Sequence, residues 1–106
     1  MNEIRDLARF YKALGDETRL RLVELLARQN PTRPLCVGRL ARSLGVTPSA
    51  VSQHLRVLKD LGLAEGTREG CYIHYYLDPN RLADYRALAR RLLGEGFVKA
   101  DKQSDH

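Results

Sequence analysis

Cysteine is scarce in this chain, and long apolar runs are missing. Its 106 residues hold two cysteines, Cys36 and Cys71, too few for the framework of a disulfide-stapled secreted domain. No apolar run approaches the roughly 18 residues of a membrane span. The opening residues Met1, Asn2, Glu3, Ile4, Arg5 and Asp6 are polar and partly acidic, unlike a signal peptide. These absences predict a cytoplasmic chain with no membrane partner. There is no internal repeat, no low-complexity segment and no glycine-rich phosphate loop. No histidine stands near Cys36 in sequence, so a cysteine nucleophile would lack its base and its oxyanion hole. An enzyme is not expected.

Acidic residues are the minority, with 13 Asp and Glu against 18 Lys and Arg and a net charge of +5. A basic chain attracts polyanions through phosphate neutralisation and counterion release. Charge alone does not separate DNA from RNA or from an acidic protein. A length of 106 residues sets one domain with a modest core, which dimerisation would help to bury. The expected division is a folded domain over residues 1–94 and a loose tail over residues 95–106.

The most informative stretch is residues 37–61. Val37, Leu40, Ala41 and Leu44 follow helical spacing. Gly45 then stands where a left-handed residue closes a helix, and Val46 fills the corner. Thr47 can cap the next helix, with Pro48 at its first position. In that second helix Val51, Leu55 and Leu58 form an apolar stripe. Ser49, Ser52, Gln53, Arg56 and Lys59 point elsewhere. Short polar and basic side chains of this kind reach base edges and phosphates, whereas a solvated helix face is usually rich in Glu and Lys. The pattern is a helix-turn-helix.

The flanks extend it. Asn2 caps a first helix with apolar Ile4, Leu7, Ala8, Tyr11 and Leu14, Phe10 beside them, and Gly15 as its stop. Asp16 caps a second, apolar around most of its girth and therefore central. Residues 29–34 hold two prolines and break it. After Leu61, Gly62 ends the recognition helix. Residues 63–68 and 71–77 read as two strands joined at Glu69 and Gly70. Cys71, Ile73, Tyr75 and Leu77 share the expected inner face; Tyr72, His74 and Tyr76 share the outer one. His74 is expected there as a solvated residue or a phosphate contact. A basic hairpin after a recognition helix is a wing, and Arg68 near its tip can reach a phosphate or the minor groove. Asp78 and Pro79 open a last helix with Leu82, Tyr85, Leu88, Ala89, Leu92 and Leu93 on its stripe. The two terminal helices need burial, which pairing with a second copy provides. The predicted fold is mainly α with a small β-hairpin wing: a dimeric winged helix-turn-helix of five helices, the two strands preceding the last.

The chain resembles the ArsR/SmtB family of winged-helix repressors in four blocks, residues 13–22, 35–40, 46–55 and 68–77. The resemblance implies a homodimeric, sequence-specific DNA-binding repressor that leaves its operator when an effector binds. It places Ser49, Ser52 and Gln53 at base-contacting positions. His54 and Arg56 flank them; His54 either reaches the backbone or braces the helix. Two-fold symmetry sets the recognition helices about one DNA turn apart, so the expected partner is double-stranded DNA with an inverted-repeat operator. RNA is disfavoured, because a helix fits the major groove of B-form DNA and not of A-form RNA.

The family's metal sites are each broken here. Where one type has a Cys-x-Cys pair, this chain has Cys36 and then Gly38. Where another has ligands on the last helix, Asp84 is kept, but Arg86, Phe97 and Ala100 stand in the other places. Cys36 remains. A helix N-terminus with Arg33 and Arg39 nearby favours a thiolate, so Cys36 is either a sensor of an oxidant, a reactive sulfur species or a soft or transition metal ion, or a small residue packing the turn. No cofactor is otherwise implied. Cys71 is expected as a strand-face filler. If Cys36 lies at the base of the wing strand, the two thiols are too far apart to share a site. An effector-blind or architectural DNA-binding protein is the alternative.

Overall fold

Four of the five helices in the computed structural model, which describes residues 2–29 and 34–94, start at a side-chain cap visible in the sequence, and the other ends at a turn signal. Helix α1 (Glu3–Leu14) begins where Asn2 accepts a hydrogen bond from the N–H of Arg5, and α2 (Glu17–Ala27) where Asp16 accepts from the N–H of Arg19. Helix α3 (Val37–Leu44) ends at Gly45 with φ of 67°, the left-handed conformation a Cβ would oppose. The N–H of Val46 then returns to the Ala41 carbonyl at 3.1 Å. Helix α4 (Pro48–Asp60) starts at Thr47, whose hydroxyl accepts from the N–H of Ala50 at 3.1 Å. It closes at Gly62, where the N–H of Leu63 reaches the Leu58 carbonyl at 2.9 Å. Helix α5 (Pro79–Leu93) opens on Asp78, which accepts from the N–H groups of Asn80 and Arg81.

Between α4 and α5 lies the antiparallel pair β1 (Ala64–Glu69) and β2 (Tyr72–Leu77), with Ala64 opposite Leu77 and Glu69 opposite Tyr72. The turn is therefore Gly70 and Cys71, one residue later than expected from sequence. Gly70 takes the positive φ of 68° that a two-residue hairpin turn asks of its first residue. The element order is that of a winged helix-turn-helix.

One core joins these parts. Leu22, Leu40, Val51, Leu55, Leu58 and Leu63 are fully buried within it. α2 is central, as its composition suggests, packing against α1, α3, α4 and β2. It is less fully enclosed than expected, because Leu20 faces solvent. The α1 stripe is also corrected. Leu7, Phe10 and Ala13 are buried, while Ile4 and Tyr11, on the edge of that stripe next to Leu7, are exposed. α1 and α5 bury part of each other within one chain: the Phe10 and Tyr85 rings stack at 4.5 Å, and Glu3 takes two hydrogen bonds from Arg91 at 2.8 and 2.7 Å.

The wing is rooted at Tyr75. Its N–H donates to the Leu35 carbonyl at 2.9 Å, and its carbonyl accepts from Gln29 Nε2 at 2.9 Å. Gly66 stands opposite it. A Cβ at Gly66 would fall 2.8 Å from Ile73 Cγ2 and 2.9 Å from Tyr75 Cε1, so the absent side chain lets both close over the strand. Tyr75 and Leu77 pack on the core as the inner face predicts, but Ile73 is exposed, because the hairpin has projected beyond the core by that point. Among the described residues no helix is long and apolar enough to cross a membrane. Asn30 to Arg33 and the segment 95–106, with Phe97, Ala100 and His106, lie outside the described residues.

Candidate nucleic-acid interface

Helix α4 has two unlike sides. Val51, Leu55 and Leu58 are sealed in the core. Ser49, Ser52, Gln53 and Arg56 are spaced three and four apart, so they share the opposite face. All four are exposed, as is Lys59 one turn on. The face carries hydroxyls, one amide and two cations, with no acid in the first turn. Such groups can donate to phosphates, and the amide and guanidinium can read base edges bidentately. Packing fixes the helix from behind, so the polar face is presented on a rigid body.

His54 is placed differently from its neighbours. It is half-buried, and its Nδ1 lies 3.2 Å from Arg19 Nη1. A guanidinium only donates, so this nitrogen accepts. Arg19 also donates from Nε to the Ala13 carbonyl at 2.8 Å. The N–H of Arg19, and then the charge of its guanidinium, hold the Asp16 carboxyl below its ordinary value. His54 thus ties α4 to the start of α2, the bracing alternative of the two open from sequence. Arg19 lies in the family-like block 13–22, but nothing in that block names its partner; only the contact across the fold does.

On the wing, Arg68 is exposed, in β1 opposite Ile73. The expectation of a solvated, phosphate-contacting His74 is corrected. Its side chain is 17% exposed and its Nδ1 is paired with Glu69, which also accepts from the Tyr76 hydroxyl at 2.9 Å. These two hydrogen bonds, that from His74 foremost, hold the Glu69 carboxyl below its usual range, and Glu69 in turn raises the Tyr76 phenol. The Tyr72 ring stacks on His74 with centroids 6.2 Å apart. The outer face of the hairpin is therefore cross-linked by its own side chains.

Cys36 caps α3 without a side-chain hydrogen bond and is half-buried; Cys71 is exposed at the turn, and both are free thiols. The Leu35–Tyr75 hydrogen bond sets Cys36 beside the middle of β2. The two cysteines then line opposite parts of one cleft of about 710 Å³ between α3 and the wing, which a Cys36 at the strand base would not allow. Arg39, Arg42 and His74 also line it. Among the described residues of one chain no three His, Cys, Asp or Glu side chains converge.

The model of the bacterial regulatory proteins of the arsR family matches residues 16–65. The chain is 45% identical over 86 residues to the HTH-type transcriptional regulator Rv2034 of Mycobacterium tuberculosis, covering 81% of this chain and 77% of that protein. It is 39% identical over 93 residues to a transcriptional repressor SmtB homolog of Synechocystis sp., covering 87% and 67%. Among solved structures it is similar to the homodimeric winged helix-turn-helix DNA-binding domain of Mb0332 from Mycobacterium bovis. That match has a TM-score of 0.64 and 26% identity over 95% of this chain and 83% of that one.

Proposed function

The chain belongs to the arsR family of bacterial regulatory proteins, and from this we propose that it acts as a homodimer on an inverted-repeat operator and is released by a thiol-reactive effector at Cys36. It is a DNA-binding transcriptional repressor rather than an enzyme. The observation that carries the proposal is the exposed face of Ser49, Ser52, Gln53 and Arg56 on a helix whose other side is locked in the core. Gln53 and the two serines read bases, while Arg56, Lys59 and Arg68 hold phosphates. His54 contributes to DNA binding by holding α4 in place, with Nε2 as its remaining polar atom. The dimer forms through Ile4, Tyr11 and Leu93, apolar side chains that α1 and α5 leave in water. Two-fold pairing through this face sets the two copies of α4 about one DNA turn apart.

Repression needs occupancy alone, and release needs only that the effector prefer a dimer with misplaced helices. A thiol-reactive effector fits Cys36 better than a metal ion does, given the missing ligand cluster among the described residues. The second reading, an effector-blind or architectural DNA-binding protein, is favoured by that same gap.

Selection of tight binders from a pool of random duplexes tests the proposal. An inverted repeat should emerge, with half-site centres about 10 base pairs apart. Absence of any enriched sequence, or equal binding to RNA, contradicts it. Oxidant, polysulfide or soft metal ion should release the wild-type protein and spare Cys36→Ser. Equal release of both removes Cys36 from the mechanism, and no release of either leaves the effector-blind reading.

A further inference from the structure

We propose that the cleft between α3 and the wing binds a small planar aromatic carboxylate, a ligand held without covalent chemistry. This goes beyond thiol sensing at Cys36 and rests on the repressor reading only for its consequence on DNA. The cleft's volume of about 710 Å³ lies within the usual range for small-molecule sites, roughly 300–1,000 Å³. Its two sides differ in chemistry. On the α3 side stand Arg39 and Arg42, three residues apart and therefore on one helix face. Neither has an ion-pair partner among the described residues. On the wing side stand Tyr72 and His74, already stacked at 6.2 Å, with Ile73 lining the cleft from the other face of the strand.

No acidic side chain lines the cleft, and α3 has no acid in its first turn. A guanidinium takes a carboxylate bidentately, and an aromatic surface takes a ring by stacking. A ligand with a carboxylate at one end and a flat ring at the other satisfies both sides; a bare inorganic anion uses only one. The Glu69 carboxylate is held on the wing by His74 and Tyr76, so it is not a competitor for the arginines. The two sides also belong to different DNA-contacting parts. α3 packs on α4, and β2 carries the wing. An occupant bridging them sets the angle between recognition helix and wing, and so couples to operator affinity.

The cysteines supply a readout that needs no DNA. Both line the cleft, so an occupant shields them. The full chain is treated with N-ethylmaleimide, and alkylation of Cys36 and Cys71 is followed by mass spectrometry with and without 2-naphthoate. Saturating 2-naphthoate should slow alkylation at least fivefold at both sites. The neutral analogue 2-naphthalenemethanol and the non-aromatic cyclohexanecarboxylate should protect at least tenfold more weakly by concentration. The double variant Arg39→Ala/Arg42→Ala should lose the protection while keeping its unfolding midpoint. Unsaturable protection, equal protection by the neutral analogue, or undiminished protection in the double variant overturns the proposal. So does a double variant that merely weakens binding to every duplex, in a protein whose thiols 2-naphthoate never shields; the arginines are then DNA-backbone contacts. Failure of the repressor reading shows instead as absent duplex selectivity with the shielding intact.

Discussion

The recognition helix and the wing, both proposed above to contact DNA, are held by different means. α4 is held from behind by Val51, Leu55 and Leu58, all nearly inaccessible to water, and its polar face makes no demands on its position. The wing reaches the core only at its base, through Ala64, Tyr75 and Leu77. Beyond that base it keeps its shape through the β1–β2 ladder, the Glu69–His74–Tyr76 hydrogen bonds and a ring stack on its own surface. Buried apolar contacts are worth kilocalories each, while exposed ion pairs are worth little. The helix is therefore fixed along its whole length by the core, whereas the wing is fixed to the body at its base and, beyond Tyr75, only to itself.

The sharpest way to break this contrast is to damage each part in kind. Leu58→Ala should cost about 2–5 kcal/mol of stability by urea denaturation, since Leu58 is 0% exposed and the cavity would lie under α4. Gly66→Ala should cost less, about 1 kcal/mol, because Ile73 and Tyr75 must give way at the wing alone. Its operator affinity should fall out of proportion to that loss. If Gly66→Ala unfolds the protein as Leu58→Ala does, the wing is part of the cooperative core and the contrast is wrong.

Thr47→Ala comes next, removing the cap on the N–H of Ala50. Here about 1 kcal/mol is expected by urea denaturation. The smallest effect is on acidification. The Arg91 hydrogen bond holds the Glu3 carboxyl below its ordinary value of 4.5. A carboxyl depressed in the folded state stabilises above its unfolded value and loses that contribution as pH falls through its folded one. Wild type should therefore lose its advantage over Glu3→Gln below pH 4.5 in urea unfolding. A gap between the two proteins that stays constant with pH would show that the α1–α5 link does not depend on this pair.

The same contrast explains what could be read from the sequence. α4 is built from local grammar. Thr47 and Pro48 start it, Gly62 ends it, and the apolar stripe repeats within one element, so helix, caps and exposed face were all legible. The wing is built from contacts across strands and between elements. That Glu69 would take both His74 and Tyr76 depends on a register set by the turn at Gly70 and Cys71, one residue from the expected place. His74 consequently read as solvated. Arg19 reaching His54, 35 residues away in sequence, left no local sign. For the cleft, the trace was present but unread: Arg39 and Arg42 lie on one face of α3 without an acid near them. What brings β2, and with it Cys71, alongside α3 is the root of the wing at Tyr75, hydrogen-bonded to Leu35 and Gln29. The α1 stripe misled for a related reason. Helical spacing groups Ile4 and Tyr11 with Leu7, but only the packing of α1 on both α2 and α5 decides that the buried side runs through Leu7, Phe10 and Ala13 instead.

Comparing Gln53→Ala with Arg68→Ala tests most directly the claim that α4 reads sequence and the wing holds the backbone. Binding of each dimer is measured by fluorescence anisotropy on the selected operator and on a scrambled duplex, across a salt series. Gln53→Ala should lose about 1–3 kcal/mol on the operator and little on the scrambled duplex. Arg68→Ala should weaken both alike and reduce the salt slope by about 1 for each phosphate no longer neutralised. Equal losses on both duplexes for Gln53→Ala, or a loss confined to the operator for Arg68→Ala, would contradict the division of roles.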